Sequence, residues 1–158
     1  MPIDRKHLGR RYGPFLFSVG LQHVRDFVAA TGGGVPGHVF ASPPDRAHPL
    51  TWDEAAARAG PHGGIVAPPA FATTFAMEPF AQACSDPELQ VNVLRLVHGE
   101  QELELVEPVR PGDLLTTTGE ITRIQERGNL DFLEVSSTTT NQHGRVVVRG
   151  TWTAIIRN

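Results

Sequence analysis

Asp45 and His48 stand three residues apart in D-R-A-H-P, a carboxylate and an imidazole of the kinds that exchange protons near neutral pH. His98 and Glu100 form a second such neighbourhood in V-H-G-E-Q-E. His38 has glycine and proline around it and no adjacent carboxylate, so it reads as a solvated loop histidine. Gly63 and Gly64 stand just ahead of an apolar helical stretch. Exposed N–H groups and the positive end of a helix dipole at that place can polarise a carbonyl oxygen, and the same glycines suit a positive-φ turn. Cys84 is the single cysteine, which excludes an internal disulfide and a cysteine-rich metal cage. With no cationic neighbour to activate it, Cys84 reads as a small apolar filler near the end of a helix.

The bulk numbers narrow what this chemistry can serve. At 158 residues the chain is the size of one domain, taken here as residues 1–158. A formal charge of -3, a pI near 6.1 and scattered arginines leave no electrostatic footprint for nucleic acid. The N-terminus MPIDRKHLGRRYG is positively charged but is not followed by the uncharged apolar stretch of a signal peptide. No window reaches spanning length without a charge, so a cytosolic chain with no membrane partner is expected.

The elements that must position these residues follow from periodicity. Leu21, Val24, Phe27 and Val28 recur at helical spacing and stop at Gly32, which predicts a helix over about 19–31. Residues 32–50 have no period and form a long glycine- and proline-rich loop, of the kind that is usually functional or mobile. Thr51 and Glu54 match a T-x-x-E capping box for a short helix ending at Gly60. Next, AFATTFAMEPFAQA has hardly any polar face and predicts a buried helix that Pro68 and Pro69 start and Pro79 kinks or ends. From Val91 the period becomes two, in VNVLRLVHG, QELELVEP, LLTTTGEITRIQER, LDFLEVSSTTT and RVVVRGTWTAIIR, with turns at PVRPGD, GN and NQHG. An antiparallel meander follows, coiled enough by its long strands to take one apolar helix in its concave face. The fold class is therefore α+β.

This order of elements resembles the MaoC-like hot-dog hydratase/dehydratase family, and most closely its N-terminal-type subdomain in mycobacterial (3R)-hydroxyacyl-ACP dehydratase subunits. The resemblance is carried by Gly64-Ile65-Val66-Ala67-Pro68-Pro69-Ala70-Phe71, by His98-Gly99-Glu100-Gln101-Glu102, by Pro108-Val109-Arg110-Pro111-Gly112-Asp113 and by Asn141-Gln142-His143-Gly144. It implies a hot-dog fold and hydration of trans-2-enoyl thioesters, or dehydration of (R)-3-hydroxyacyl thioesters, on CoA or acyl carrier protein. It implies no metal and no redox cofactor. It also implies that Gly63, Gly64, Ile65, Phe71 and Phe75 contact substrate, with Phe71, Phe75 and Phe80 as candidates for an acyl tunnel. Because hot-dog relatives pair two sheets edge to edge, a homodimer, or a heterodimer with another hot-dog subunit, is expected.

Active members of that family carry an Asp and a His in a motif resembling G-D-x-N-P-x-H-x-D ahead of the capped helix. Here those positions fall on Gly33 and Thr51, neither of which shuttles protons at neutral pH. Three readings follow. In one, Asp45 and His48 are a shifted dyad inside the enlarged loop, with His98 as the fallback. In another, the chain is a noncatalytic acyl-thioester-binding subunit whose partner supplies the dyad. The third is a hot-dog thioesterase, which would want a carboxylate on or near the central helix, where Glu78 is the sole one.

Overall fold

The computed structural model describes residues 2–31 and 47–158. A short turn of 3-10 helix at Arg5–His7 leads into β1 (Arg11–Ser18) and α1 (Leu21–Thr31). Two short helices follow, α2 (Pro49–Trp52) and α3 (Glu54–Ala59). The central apolar segment then runs through a 3-10 turn at Pro69–Ala72 into α4 (Thr73–Ala76) and α5 (Glu78–Ser85). Four strands complete the fold: β2 (Leu96–Leu105), β3 (Leu114–Arg127), β4 (Leu130–Thr140) and β5 (Val146–Arg157).

All five strands form one antiparallel sheet in the order β1-β3-β4-β5-β2, so the meander comprises only β3, β4 and β5. The sheet curls around the central helical segment, which is the α+β hot-dog arrangement. Strict alternation of buried and less buried residues along β4 shows why the period-two pattern was readable there. Val135 lies opposite Trp152, whose indole Nε1 donates to Ser137 Oγ at 3.0 Å, so the largest core side chain is anchored as well as buried. The hydroxyls of Thr117 and Thr139 meet across β3 and β4 at 2.8 Å, which satisfies two buried polar groups at once.

Phe71, Phe75 and Phe80 of the central segment are buried, but the segment is not apolar all round as expected: Thr74, Glu78, Gln82 and Ser85, three or four residues apart, form an exposed stripe along its other side. Full burial of such phenylalanine side chains stabilises by roughly 1.5–3 kcal/mol each. The helical run breaks at Met77 because Pro79, in the first turn of α5, has no N–H to donate to a carbonyl one turn back. Pro79 is also the point of closest approach to the sheet: a Cβ on Gly119 of β3 would lie 2.3 Å from Pro79 Cβ and 2.9 Å from Ser136 O. Cys84 is buried near the end of α5, where desolvation pushes its thiol up to about 11 and keeps it unreactive.

Three further expectations are corrected. The helix over 54–59 is capped by Asp53 and not by Thr51: Asp53 Oδ1 accepts from Ala55 N at 2.9 Å and Ala56 N at 3.0 Å. Thr51 lies inside α2, a separate turn started by Pro49. Next, the second half of VNVLRLVHG and the first half of QELELVEP belong to one strand, β2, interrupted by a bulge between His98 and Glu100, where Gly99 fits against Ile155, while Val93–Arg95 is a turn of 3-10 helix and not strand. That strand pairs with β5 at the far edge of the sheet and does not neighbour β3. Finally, β1 was not anticipated. Gly13 and Pro14 cut its alternation in two, and the ladder shifts register between Tyr12 and Phe15.

The N-terminal segment is tied to the end of α5 through Asp86. Arg10 lies 2.9 Å from its carboxylate, while the Tyr12 hydroxyl and Glu88 N donate to it at 2.9 and 3.0 Å. Burial acts to raise its pKa, but these hydrogen bonds and the guanidinium outweigh it and hold Asp86 below the ordinary carboxylate range.

A carboxylate held low in the folded state contributes stability that is complete above its unfolded pKa and is lost as pH falls through the folded value. Asp86→Asn should therefore destabilise the chain at neutral pH and progressively less below about pH 4, as read by urea unfolding at each pH. Gly119→Ala should cost about 1–3 kcal/mol in the same assay at neutral pH, since neither Pro79 nor the Ser136 carbonyl can withdraw cheaply.

Candidate functional site

A cleft of about 290 Å³ opens between the start of the central helical segment and the chain leaving β2. One wall is Val66, Ala67, Pro68 and Pro69; the other is Leu105 to Val109; Phe71 and Ala72 lie at the base. The walls are held at fixed separation by Ala67 N donating to Val109 O at 2.8 Å. The Arg110 guanidinium donates to His62 O, and Val66 N donates to Leu50 O at 3.1 Å, which ties α2 to the same wall. Behind Phe71 stands an aromatic cluster, with ring centroids 5.5 Å to Phe27, 6.1 Å to Phe75 and 6.2 Å to Phe17.

Two polar side chains join this apolar lining, His62 and Glu107. Arg145 lies 3.3 Å from Glu107 and fixes its carboxylate at the rim. A mostly apolar slot with a few polar groups is the usual form of a site for a small apolar ligand. Neither polar residue was singled out from sequence. They lie 45 positions apart, on segments that only the crossing from β2 to β3 brings together, so no spacing rule connects them.

The residues anticipated for the site are dispersed. Phe71 reaches the base of the cleft, whereas Phe75 is 1 % exposed and belongs to the core behind it. Gly63 and Gly64, together with Ile65, line a different depression with Leu21, Arg58 and Arg110. Gly63 has φ 68°, and its N–H donates to Gly60 O at 3.2 Å, so the turn reading applies to it. The helix start itself is a weak cradle for an oxyanion. Pro68 and Pro69 carry no N–H, and that of Phe71 donates to Pro68 O at 2.9 Å.

His98 is on the inner face of β2, tilted over the rings of Phe80 at 5.3 Å and Trp152 at 6.1 Å, away from the cleft lining. Glu78 is exposed at the start of α5 and does not line the cleft either. His48 is exposed and caps α2, its Nδ1 accepting from Leu50 N at 3.2 Å. Thr51, at the position of the resemblance's His, is buried and donates its hydroxyl to His48 O at 2.7 Å. Asp45, Gly33 and His38 lie outside the described residues.

The later motifs are structural. Asp113 is buried between two turns, accepting from Arg110 N at 2.8 Å and from Gln142 Nε2 at 3.4 Å, while Gln142 Oε1 accepts from Leu114 N at 3.0 Å. The P-G-D and N-Q-H-G segments therefore brace each other, and through Arg110 they brace the cleft wall.

A strongly curled sheet around a central helix, with a cleft at the helix start, is the hot-dog arrangement. The model of the FAS1-like, dehydratase domain region matches residues 6–149, and the chain belongs to that family. It is 31% identical over 157 residues to UPF0336 protein SCO4636 of Streptomyces coelicolor, covering 99% of this chain and 95% of that one. Among solved structures it is similar to the C-terminally truncated HadBC (3R-hydroxyacyl-ACP dehydratase) complex of Mycobacterium tuberculosis, with TM-score 0.74, 25% identity and coverage of 94% and 96%. The MaoC-like dehydratase of Rhodospirillum rubrum shares the fold, with TM-score 0.66, 23% identity and coverage of 96% and 92%. Among the described residues, no helix is long and apolar enough to cross a membrane.

Val106 is exposed on the outer wall, so Val106→Asp should change stability by only about 0.5 kcal/mol. It should nevertheless weaken binding of an apolar fluorescent probe such as anilinonaphthalene sulfonate by about tenfold, because the bound probe then desolvates a carboxylate. A titration followed by fluorescence checks this.

Proposed function

We propose that this chain binds the acyl group in a cytosolic, heteromeric hydratase/dehydratase acting on trans-2-enoyl or (R)-3-hydroxyacyl thioesters of CoA or acyl carrier protein. A second hot-dog chain then supplies the Asp/His pair. The observation that carries this reading is Thr51: where the resemblance would put the proton-shuttling His, a buried hydroxyl is already donating to a backbone carbonyl. A threonine in that state is neither a base nor an acid near neutral pH. The proline pair at the helix start points the same way, since it removes backbone donors from the place where an enolate oxygen would be stabilised.

What remains here suits binding. The apolar walls from Val66 to Pro69 and Leu105 to Val109 match an acyl chain, and His62 and Glu107 lie where a thioester's polar end would emerge. The fold is also shared with the HadBC (3R-hydroxyacyl-ACP dehydratase) complex, which supports a paired arrangement. The partner's base would take the C2 proton while its acid protonates the departing C3 hydroxyl; hydration is the reverse.

A second reading keeps the chemistry in this chain. His48 is exposed, its Nδ1 accepting from Leu50 N, and Asp45 precedes it by three residues in sequence.

Loss of absorbance at the enoyl-thioester band of crotonyl-CoA distinguishes the two. The purified chain alone should be inactive, and activity should appear on adding a hot-dog chain with an intact Asp/His motif encoded beside it. Robust activity of the chain alone contradicts the subunit reading. In that event His48→Ala and Asp45→Asn should each lower turnover by at least about 10²-fold if they form the dyad.

A further inference from the structure

The two edges of the sheet are unequal. In β1 the outer edge is broken by Pro14 and a register shift, so it offers no continuous row of donors. The β2 edge has no proline, and beyond its bulge at Gly99 it runs in regular register from Glu100 to Leu105, pairing on one side only, with β5. Apolar side chains cluster at its two ends: Val93, Leu94 and Val97 are 57, 93 and 59 % exposed at one, and Leu105 and Val106 are 47 and 45 % exposed at the other. An unpaired strand flanked by exposed apolar groups is a surface built to be covered.

Its charges decide what can cover it. Glu100, Glu102 and Glu104 lie opposite Thr153, Thr151 and Arg149 of β5, on the outer face, and all three are exposed. Arg149 lies 2.9 Å from Glu104. No basic side chain lies opposite Glu100 or Glu102. Suppose a second copy paired through β2 about a two-fold axis with matching faces. Any centre from Glu100 to Glu104 then sets at least one glutamate opposite a glutamate, and a centre at Glu102 aligns all three. Like charges directly opposite in an antiparallel pair are destabilising.

We propose that the β2 edge takes the edge strand of a different chain, one with lysine or arginine at alternate positions on the outer face. Glu100 and Glu102 then select that partner and disfavour a second copy. This rests on the reading of the chain as one half of a pair, and it names the residues that choose the other half.

A variant of this chain with a basic edge, E100K/E102K, serves as the surrogate partner. Sedimentation equilibrium is run on wild type, on the variant and on their equimolar mixture at about 0.05 M and about 0.5 M salt. The mixture should associate at least about tenfold more tightly than either chain alone at low salt, and the gap should shrink at high salt. Equal association in all three samples, or wild type pairing more tightly than the mixture, overturns the proposal. Should the double variant fail to give a wild-type melting curve, Glu102→Gln alone should strengthen self-association at low salt, and no change or a weakening overturns it. The two readings fail separately. Crotonyl-CoA hydration by the wild-type chain alone removes the noncatalytic reading, whereas an inactive chain that self-pairs without regard to charge removes only the edge selection.

Discussion

Everything in this molecule depends on seating one apolar helical segment against a curled sheet. Between Pro69 and Ser85 that segment turns Phe71, Phe75, Phe80 and Ala83 to the long strands and Thr74, Glu78, Gln82 and Ser85 to water. Its contact with the sheet is close enough that a Cβ at position 119 would collide with Pro79. Fixing the segment fixes its start, Pro68 and Pro69, as one wall of the cleft. The crossing from β2 to β3 then has to pass that start, and Val109 is held to Ala67 there. The cleft is thus a consequence of how the chain gets from one side of the sheet to the other.

The same geometry explains why chemistry and position separate. A site at a helix start usually draws on free N–H groups and the helix dipole. Here the first residues are prolines, and α2, which abuts the same wall, uses His48 as a cap and Thr51 as an internal tie. His48 and Thr51 are thus both engaged with backbone groups, while the apolar walls of the cleft are left open. A binding half separated from a proton-moving half is a coherent outcome of those substitutions.

Much of this was legible beforehand, for identifiable reasons. β3, β4 and β5 were found because each is a long ladder with one face in the core, which enforces alternation. The central helix was found from its phenylalanines and alanines, but its exposed stripe of Thr74, Glu78, Gln82 and Ser85 was overlooked because these few polar residues are outnumbered by apolar ones. β1 was hidden because Gly13 and Pro14 sit where the alternation should continue. Reading β2 as two pieces came from Gly99, whose bulge looks like a turn in one dimension. Thr51 mimicked a cap because it stands two residues ahead of Asp53, which makes the capping hydrogen bonds two residues further along. His62 and Glu107 were beyond reach, since only the crossover places them together. The positive-φ turn expected of Gly63 and Gly64 is found at Gly63 alone, and both glycines face a depression separate from the cleft, which no local sequence signal could show.

The central claim is that acyl thioesters bind in the cleft between Val66–Ala72 and Leu105–Val109, and amide hydrogen exchange with and without octanoyl-CoA tests it most directly. Slower exchange at Ala67, Phe71, Ala72 and Val109, with none at Gly63 and Gly64, is the result expected. Protection centred on Gly63, Gly64 and Arg58, or on no part of the cleft at saturating ligand, would contradict it.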